Sequence, residues 1–145
     1  MDETIKLIKE LSDASGVSGY EGEIRDVIRR YCAPLGEISQ DKIGSLICRK
    51  RGGVERPRVV VAGHMDEIGF MVKHISKEGF IKFTALGGWW DHVLLAQRVR
   101  IKTSKGDVIG VIGAKPPHVI SQEERKRWLR RRRCTLTSGL PLKRK

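Results

Sequence analysis

The stretch Arg58-Val-Val-Val-Ala-Gly-His-Met-Asp-Glu-Ile-Gly-Phe70 decides the predicted fold. Three consecutive valines and an alanine form a run with no polar residue among them. Such a run is typical of a strand buried on both faces. Such a strand belongs at the centre of an α/β sheet, and polar residues begin only where it ends. We therefore expect a site at its carboxyl end, where open α/β sheets usually build their sites.

His64 and Asp66 are the candidate site residues at that end. Side chains two positions apart on a strand share a face, so one ring nitrogen of His64 can bind a metal while the other donates to the Asp66 carboxylate. The structural alternative is that His64 caps a buried strand and Asp66 opens a turn. Taken alone, a triplet as short and common as His-x-Asp favours that alternative.

Two helices and two short strands are predicted before the central strand. Apolar residues recur at helical spacing in residues 3–13 and from about residue 21 to residue 31. Turn residues then separate two short strands, at 37–43 and 44–49. These elements predict that residues 1–68 are the N-terminal part of an α/β domain.

Residues 69–120 show a different pattern, with alternating apolar residues and tight glycine-containing turns. Two hairpins are predicted, and together they indicate a small all-β barrel inserted after the central strand. Trp89 and Trp90 cannot both point inward from one strand. Either one ring lines a groove or a protein contact, or both rings share a partly buried cluster.

The net charge of +12 is concentrated at the C-terminal end. Residues 1–124 hold 19 cations and all 17 acids, whereas residues 125–145 hold ten cations and no acid. We predict that residues 121–145 form a disordered basic tail. One explanation is an arm for nucleic acid in which Trp128 stacks on bases, but nucleic-acid binding is not the interpretation that we favour.

We favour a shifted reading frame as the origin of this tail. Purine-rich codons for Lys and Glu become arginine codons when the frame is displaced, and the tail contains the run Arg130–Arg133. A segment that was never fitted to the fold should contribute little to it. Removing the tail is therefore expected to change the free energy of unfolding by less than about 0.5 kcal/mol.

Several protein classes are disfavoured by the sequence. No run approaches the roughly 20 apolar residues of a membrane span, and the first residues lack the layout of a signal peptide. Three widely spaced cysteines predict free thiols in a reducing cytoplasm.

His74, His92 and His118 are each more typical of packing or hydrogen-bonding residues than of metal ligands.

Five segments occur together in a distinctive order and spacing. They are Ser15-Gly-Val-Ser-Gly-Tyr-Glu21, Ala62-Gly-His-Met-Asp-Glu-Ile-Gly69, Leu86-Gly-Gly-Trp89, Leu95-Ala-Gln-Arg-Val99 and Gly110-Val-Ile-Gly-Ala-Lys-Pro-Pro-His118. This set resembles the dinuclear-metal aminopeptidases of the tetrahedral (TET), glutamyl and deblocking family, some members of which are labelled endoglucanase or cellulase. The resemblance covers residues 1–125, and the tail matches nothing in the family.

The resemblance implies an α/β peptidase domain interrupted by a small β-barrel domain through which subunits form homo-oligomers. It implies that His64 is a ligand to one of two divalent metal ions, zinc or cobalt, and that Asp66 orients it. The two ions would activate a water molecule for attack on the N-terminal peptide bond of a peptide substrate.

The family's other metal ligands and its general base lie later in the family sequence than this chain extends. The predicted function is therefore a truncated metal-dependent aminopeptidase that is inactive as this chain alone. The alternative is a non-catalytic interaction module that binds a subunit or nucleic acid through the β-barrel and the basic tail.

Overall fold

The computed structural model describes residues 2–115, 117–119, 121–122 and 134–137. The chain divides into two compact units, an N-terminal unit, Met1–Gly69, and a C-terminal unit, Phe70–Lys145. Helices and strands are mixed, as the predicted α/β class requires. Among the described residues, no helix has the length and apolar character needed to cross a membrane.

The N-terminal unit contains the two predicted helices, α1 (Glu3–Asp13) and α2 (Gly22–Cys32). The first helix begins at Asp2, whose carboxylate accepts a hydrogen bond of 2.8 Å from the Thr4 backbone N–H. This bond satisfies one of the unpaired donors at a helix start. The second helix buries Ile24.

The two predicted short strands of this unit are also confirmed. They are β1 (Glu37–Gln40) and β2 (Leu46–Arg49), which pair antiparallel with Ile38 opposite Cys48. The Asp41 carboxylate shapes the turn between them by accepting a hydrogen bond of 2.8 Å from the Ser45 backbone N–H. Such Asx-type bonds are a common way to reverse a chain.

The predicted central strand is wrong for this chain. Residues 58–66 have no regular secondary structure, and Val59, Val60 and Val61 are 81%, 87% and 95% exposed. A buried parallel strand needs a strand on each edge and a packed layer on each face. The described residues of the N-terminal unit provide only the β1–β2 pair, whose strands do not pair with this segment.

The C-terminal unit is built on one curled five-stranded sheet, in the order β3-β4-β7-β6-β5. Its strands are β3 (Gly69–Ile75), β4 (Ile81–Leu86), β5 (Arg98–Thr103), β6 (Gly106–Ala114) and β7 (Cys134–Thr137). Both predicted hairpins are present, since β3 neighbours β4 and β5 pairs antiparallel with β6. Two short 3-10 helices, Asp91–Val93 and Pro117–Val119, interrupt the loops.

The prediction that residues 121–145 are a disordered tail is wrong for residues 134–137, which form strand β7. It lies between β4 and β6, with Leu136 opposite Ile81 on one side and Ile112 on the other. Cys134 and Leu136 are each 3% exposed and belong to the core of this unit. Alternate residues of a strand share a face, so two apolar side chains two positions apart enter the core together. Residues 123–133 and 138–145, including the arginine run, lie outside the described residues.

Because Leu136 is buried, we expect it to contribute to the free energy of unfolding. This expectation opposes the earlier one, in which the tail contributes almost nothing to stability. Leu136→Ala should lower the free energy of unfolding of the C-terminal unit by about 2–5 kcal/mol, the usual cost of emptying a packed core position. Thr137→Ala, at an exposed position of the same strand, should cost less than about 1 kcal/mol. Chemical denaturation of the two variants checks this. Equal, small losses would mean that β7 contributes no packing.

Candidate metal centre

His64 and Asp66 are in hydrogen-bond contact, although they lie in a loop before β3 rather than at a strand end. The His64 Nδ1 atom is 3.1 Å from Asp66 Oδ1 and 3.1 Å from the Asp66 backbone oxygen. A carbonyl oxygen only accepts hydrogen bonds, so we assign the ring proton to Nδ1. The Nε2 atom then keeps the lone pair that a metal ion requires.

The His64 ring is open to solvent. Its side chain is 86% exposed, whereas that of Asp66 is 42% exposed. An exposed histidine with no fixed contact would sample several rotamers, and the contact with Asp66 restricts that choice. This is the arrangement by which a carboxylate commonly orients a ligand histidine.

The backbone that carries this pair is anchored by reciprocal hydrogen bonds between Glu67 and Gly16. The Glu67 backbone N–H donates to the Gly16 carbonyl oxygen over 2.7 Å. In return, the Gly16 N–H donates to Glu67 Oε1 over 3.0 Å. Val17 and Glu67 also form an isolated parallel β-bridge. The residue directly after Asp66 is thereby held to a segment 51 positions earlier in the chain.

Glycine is needed on both sides of this contact. A Cβ atom at Gly16 would lie 2.6 Å from Ile24 Cγ2 and 3.2 Å from the Met65 backbone oxygen. A Cβ atom at Gly69 would lie 2.5 Å from Val17 Cγ2. These distances are below ordinary van der Waals contact, so a side chain at either position would push the two segments apart. Helix α2 therefore supports the site through Ile24.

A second carboxylate, that of Glu21, lies near Asp66. A hydrogen bond from the Gly19 backbone N–H, together with one from its own N–H, lowers the pKa of Glu21, while the nearby Asp66 charge opposes that shift. The Gly19 bond is 2.6 Å long, and Arg25 lies 3.5 Å from the second Glu21 oxygen. Two carboxylates, Glu21 and Asp66, therefore lie near one another, and Arg25 partly offsets the charge of Glu21.

The other three histidines are in the C-terminal unit. His74 lies on β3 and is exposed, His118 is exposed in the 3-10 helix Pro117–Val119, and His92 packs its ring edge-on to Trp90. Within the described part of the chain, no three His, Cys, Asp or Glu side chains are grouped so that they could hold a metal ion. His64 therefore fits the role of a single ligand, and the described residues do not make up a complete metal site.

Comparison with known proteins identifies the family. A family model described as M42 glutamyl aminopeptidase matches residues 44–137. The chain belongs to the M42 glutamyl aminopeptidase family. A second model, described as AMPT, matches residues 2–28. The M42 match continues through β7. The resemblance therefore extends beyond residue 125, where it was expected to end.

Relatives of this M42 chain are themselves named as aminopeptidases. It is 46% identical over 127 residues to the putative aminopeptidase FrvX of Escherichia coli, and the match covers 86% of this chain. A solved TET aminopeptidase from a marine sediment archaeon, Thaumarchaeota archaeon SCGC AB-539-E09, is 44% identical with a TM-score of 0.90 over 95% of this chain. The TET1 peptidase of Pyrococcus horikoshii is 36% identical with a TM-score of 0.80 over 93% of this chain.

This M42 chain matches only part of each relative. The match spans 35% of the length of FrvX, 39% of the archaeal TET chain and 40% of the TET1 chain. The activity of those complete proteins therefore applies to this chain only as a proposal.

The Gly16 contact gives a test of how the site is supported. Gly16→Ala should lower the free energy of unfolding of the N-terminal unit by about 1–3 kcal/mol, because the new methyl group meets Ile24 and the Met65 carbonyl. Gly22→Ala is the matched control, since a Cβ atom there meets nothing within 4 Å and Gly22 opens helix α2. Its stability should be unchanged or slightly higher, because alanine is the better helix former. Thermal melts of both variants make the comparison, and equal behaviour would refute the close contact.

Proposed function

We propose that this M42 chain supplies a metal-ligating segment of an aminopeptidase, with His64 as a ligand to one of two divalent ions and Asp66 as the residue that orients it. The observation that supports this most is the contact between Nδ1 and the Asp66 carboxylate, which leaves Nε2 with its lone pair in an exposed ring. The substrate class is peptides with a free N-terminal residue. When bound, zinc or cobalt ions would supply an activated water molecule for hydrolysis.

We further propose that the chain is inactive by itself. Catalytic zinc sites use about three protein ligands, and the described residues offer His64 without a grouped set of partners. The missing ligands and the general base would come from polypeptide outside these 145 residues. The match to about a third of the length of FrvX supports this proposal.

The exposed valines before His64 support the same proposal. Val59, Val60 and Val61 lie outside any sheet in this structure. Burying each side chain is worth about 1.5–3 kcal/mol, so a folded catalytic domain should cover them. We propose that this segment becomes the predicted central strand when the rest of that domain is present.

The C-terminal unit is proposed to be a small β-barrel that mediates homo-oligomerisation. Trp89 stacks on Phe70 with ring centroids 4.6 Å apart, whereas the adjacent Trp90 is 69% exposed. Val93 and Leu95, close to Trp90 in the sequence, are also exposed large apolar residues. Exposed aromatic and aliphatic residues near one another are typical of protein contacts. The TET1 peptidase is described as assembling into a tetrahedron or a large octahedral shell.

A cytoplasmic location is part of the proposal. The three cysteines are free thiols in the structure, as expected for a reducing compartment. Nucleic-acid binding is not proposed, because the arginine run lies outside the described residues. Of the interaction-module alternative, we propose only the part in which the C-terminal unit binds another subunit.

The role of His64 is tested in a full-length protein that contains this chain. His64→Ala should abolish hydrolysis of aminoacyl substrates in the presence of zinc or cobalt, because a metal ligand is lost. Asp66→Ala should reduce metal affinity or activity by about 10–100-fold, the usual effect of removing a residue that orients a ligand. His74→Ala is the matched control and should retain most activity. Comparable losses at His64 and His74 would remove the special role of His64.

The proposed assembly surface is tested by sedimentation of this chain over a range of concentrations. Trp90→Ser should weaken self-association by at least about tenfold, since truncating a central aromatic contact commonly costs more than about 1–2 kcal/mol. Phe80→Ser changes an exposed aromatic residue in the β3–β4 turn and serves as the control. An unchanged association constant for Trp90→Ser would show that this face is not the interface.

A further inference from the structure

Two of the three cysteines are neighbours in space, although they are 16 positions apart in the chain. Cys32 is the last residue of α2, and Cys48 lies on β2. The Cys48 Sγ atom donates to the Cys32 backbone oxygen over 3.6 Å. Burial raises the pKa of Cys32, and the nearby Cys48 raises it further.

The two sulfur atoms differ in access. Cys48 is exposed, while Cys32 is partly buried behind it. The third cysteine, Cys134, is 3% exposed in the core of the C-terminal unit. An oxidant in solution therefore reaches Cys48 first, and the nearest thiol available to that sulfur within the described residues is Cys32.

We propose that Cys32 and Cys48 form a reversible intramolecular disulfide when the chain meets hydrogen peroxide. The Cys48 thiolate attacks one peroxide oxygen, so an S–O bond forms while the O–O bond breaks, and the leaving hydroxide is protonated to water. The Cys32 thiolate then attacks the Cys48 sulfur, so the S–S bond forms while the S–O bond breaks, and the leaving hydroxide is protonated to a second water. Two thiols are oxidised by two electrons, and the peroxide is reduced to two waters.

The bridge would join the end of α2 to the β1–β2 pair. The same helix places Ile24 against Gly16, which in turn holds Glu67 beside the His64 and Asp66 pair. Oxidation would therefore restrain the helix that supports the candidate metal ligand. This inference concerns the N-terminal unit itself and does not depend on the proposed catalytic function.

Intact-mass measurement of the 145-residue chain tests the proposal directly. The reduced chain is treated with hydrogen peroxide in small molar excess, quenched, and alkylated in denaturant. We expect the bridged chain to have lost two hydrogen atoms and to carry one alkyl group, on Cys134. Trypsin should release residues 31–42 joined to residues 43–49, and dithiothreitol should separate them.

Matched variants distinguish this pair from general thiol oxidation. Cys48→Ser should abolish the internal bridge, whereas Cys134→Ser should keep it. Oxygen adducts on Cys48 without the joined peptides, or disulfide-linked dimers as the main product, would overturn the proposal. The peptide map of the unsubstituted chain identifies the bonded pair, so the conclusion does not depend on whether either variant folds.

Discussion

The reciprocal hydrogen bonds between Gly16 and Glu67 are the constraint on which the candidate site depends. Residues 58–66 have no regular secondary structure, so no ladder of backbone bonds holds them in place. The two bonds at Glu67 tie that loop to the Ser15–Glu21 turn, and each such bond is worth about 1 kcal/mol net. Their geometry requires a residue without a side chain at position 16, because Ile24 of α2 occupies the adjacent space.

This anchor explains how a loop can carry an oriented histidine. Because these hydrogen bonds hold the Glu67 backbone, the preceding residue, Asp66, is held as well. Its carboxylate can then restrict the orientation of the His64 ring. Glu21 comes from the same turn as Gly16 and adds negative charge near Asp66. A single anchoring contact therefore positions both the backbone and the carboxylate that orients His64. The Nε2 side of the exposed His64 ring is left facing solvent.

The two units differ in how completely they bury their own apolar side chains. The C-terminal unit has a core of Ile81, Leu94, Ile112, Cys134 and Leu136, to which β7 contributes two members. Strand β7 also pairs with both β4 and β6, so the backbone groups along their facing edges find partners. Among the described residues of the N-terminal unit, Ile24 is the one buried apolar side chain, at 5% exposure, and the valine run before His64 remains exposed. This contrast agrees with an M42 family match that covers only about a third of a relative such as FrvX.

By itself, the sequence determined the helices α1 and α2, the β1–β2 pair, both later hairpins and the aminopeptidase family, because each rests on periodicity or motif residues within short segments. It also singled out His64 and Asp66, which are close in the chain and in space. Only the tertiary structure decided the Gly16–Glu67 pairing, the insertion of β7 between β4 and β6, and the exposure of Val59–Val61. These features depend on partners far away in the chain. An apolar run specifies that a segment should be buried, but the residues that bury it are selected by the rest of the fold.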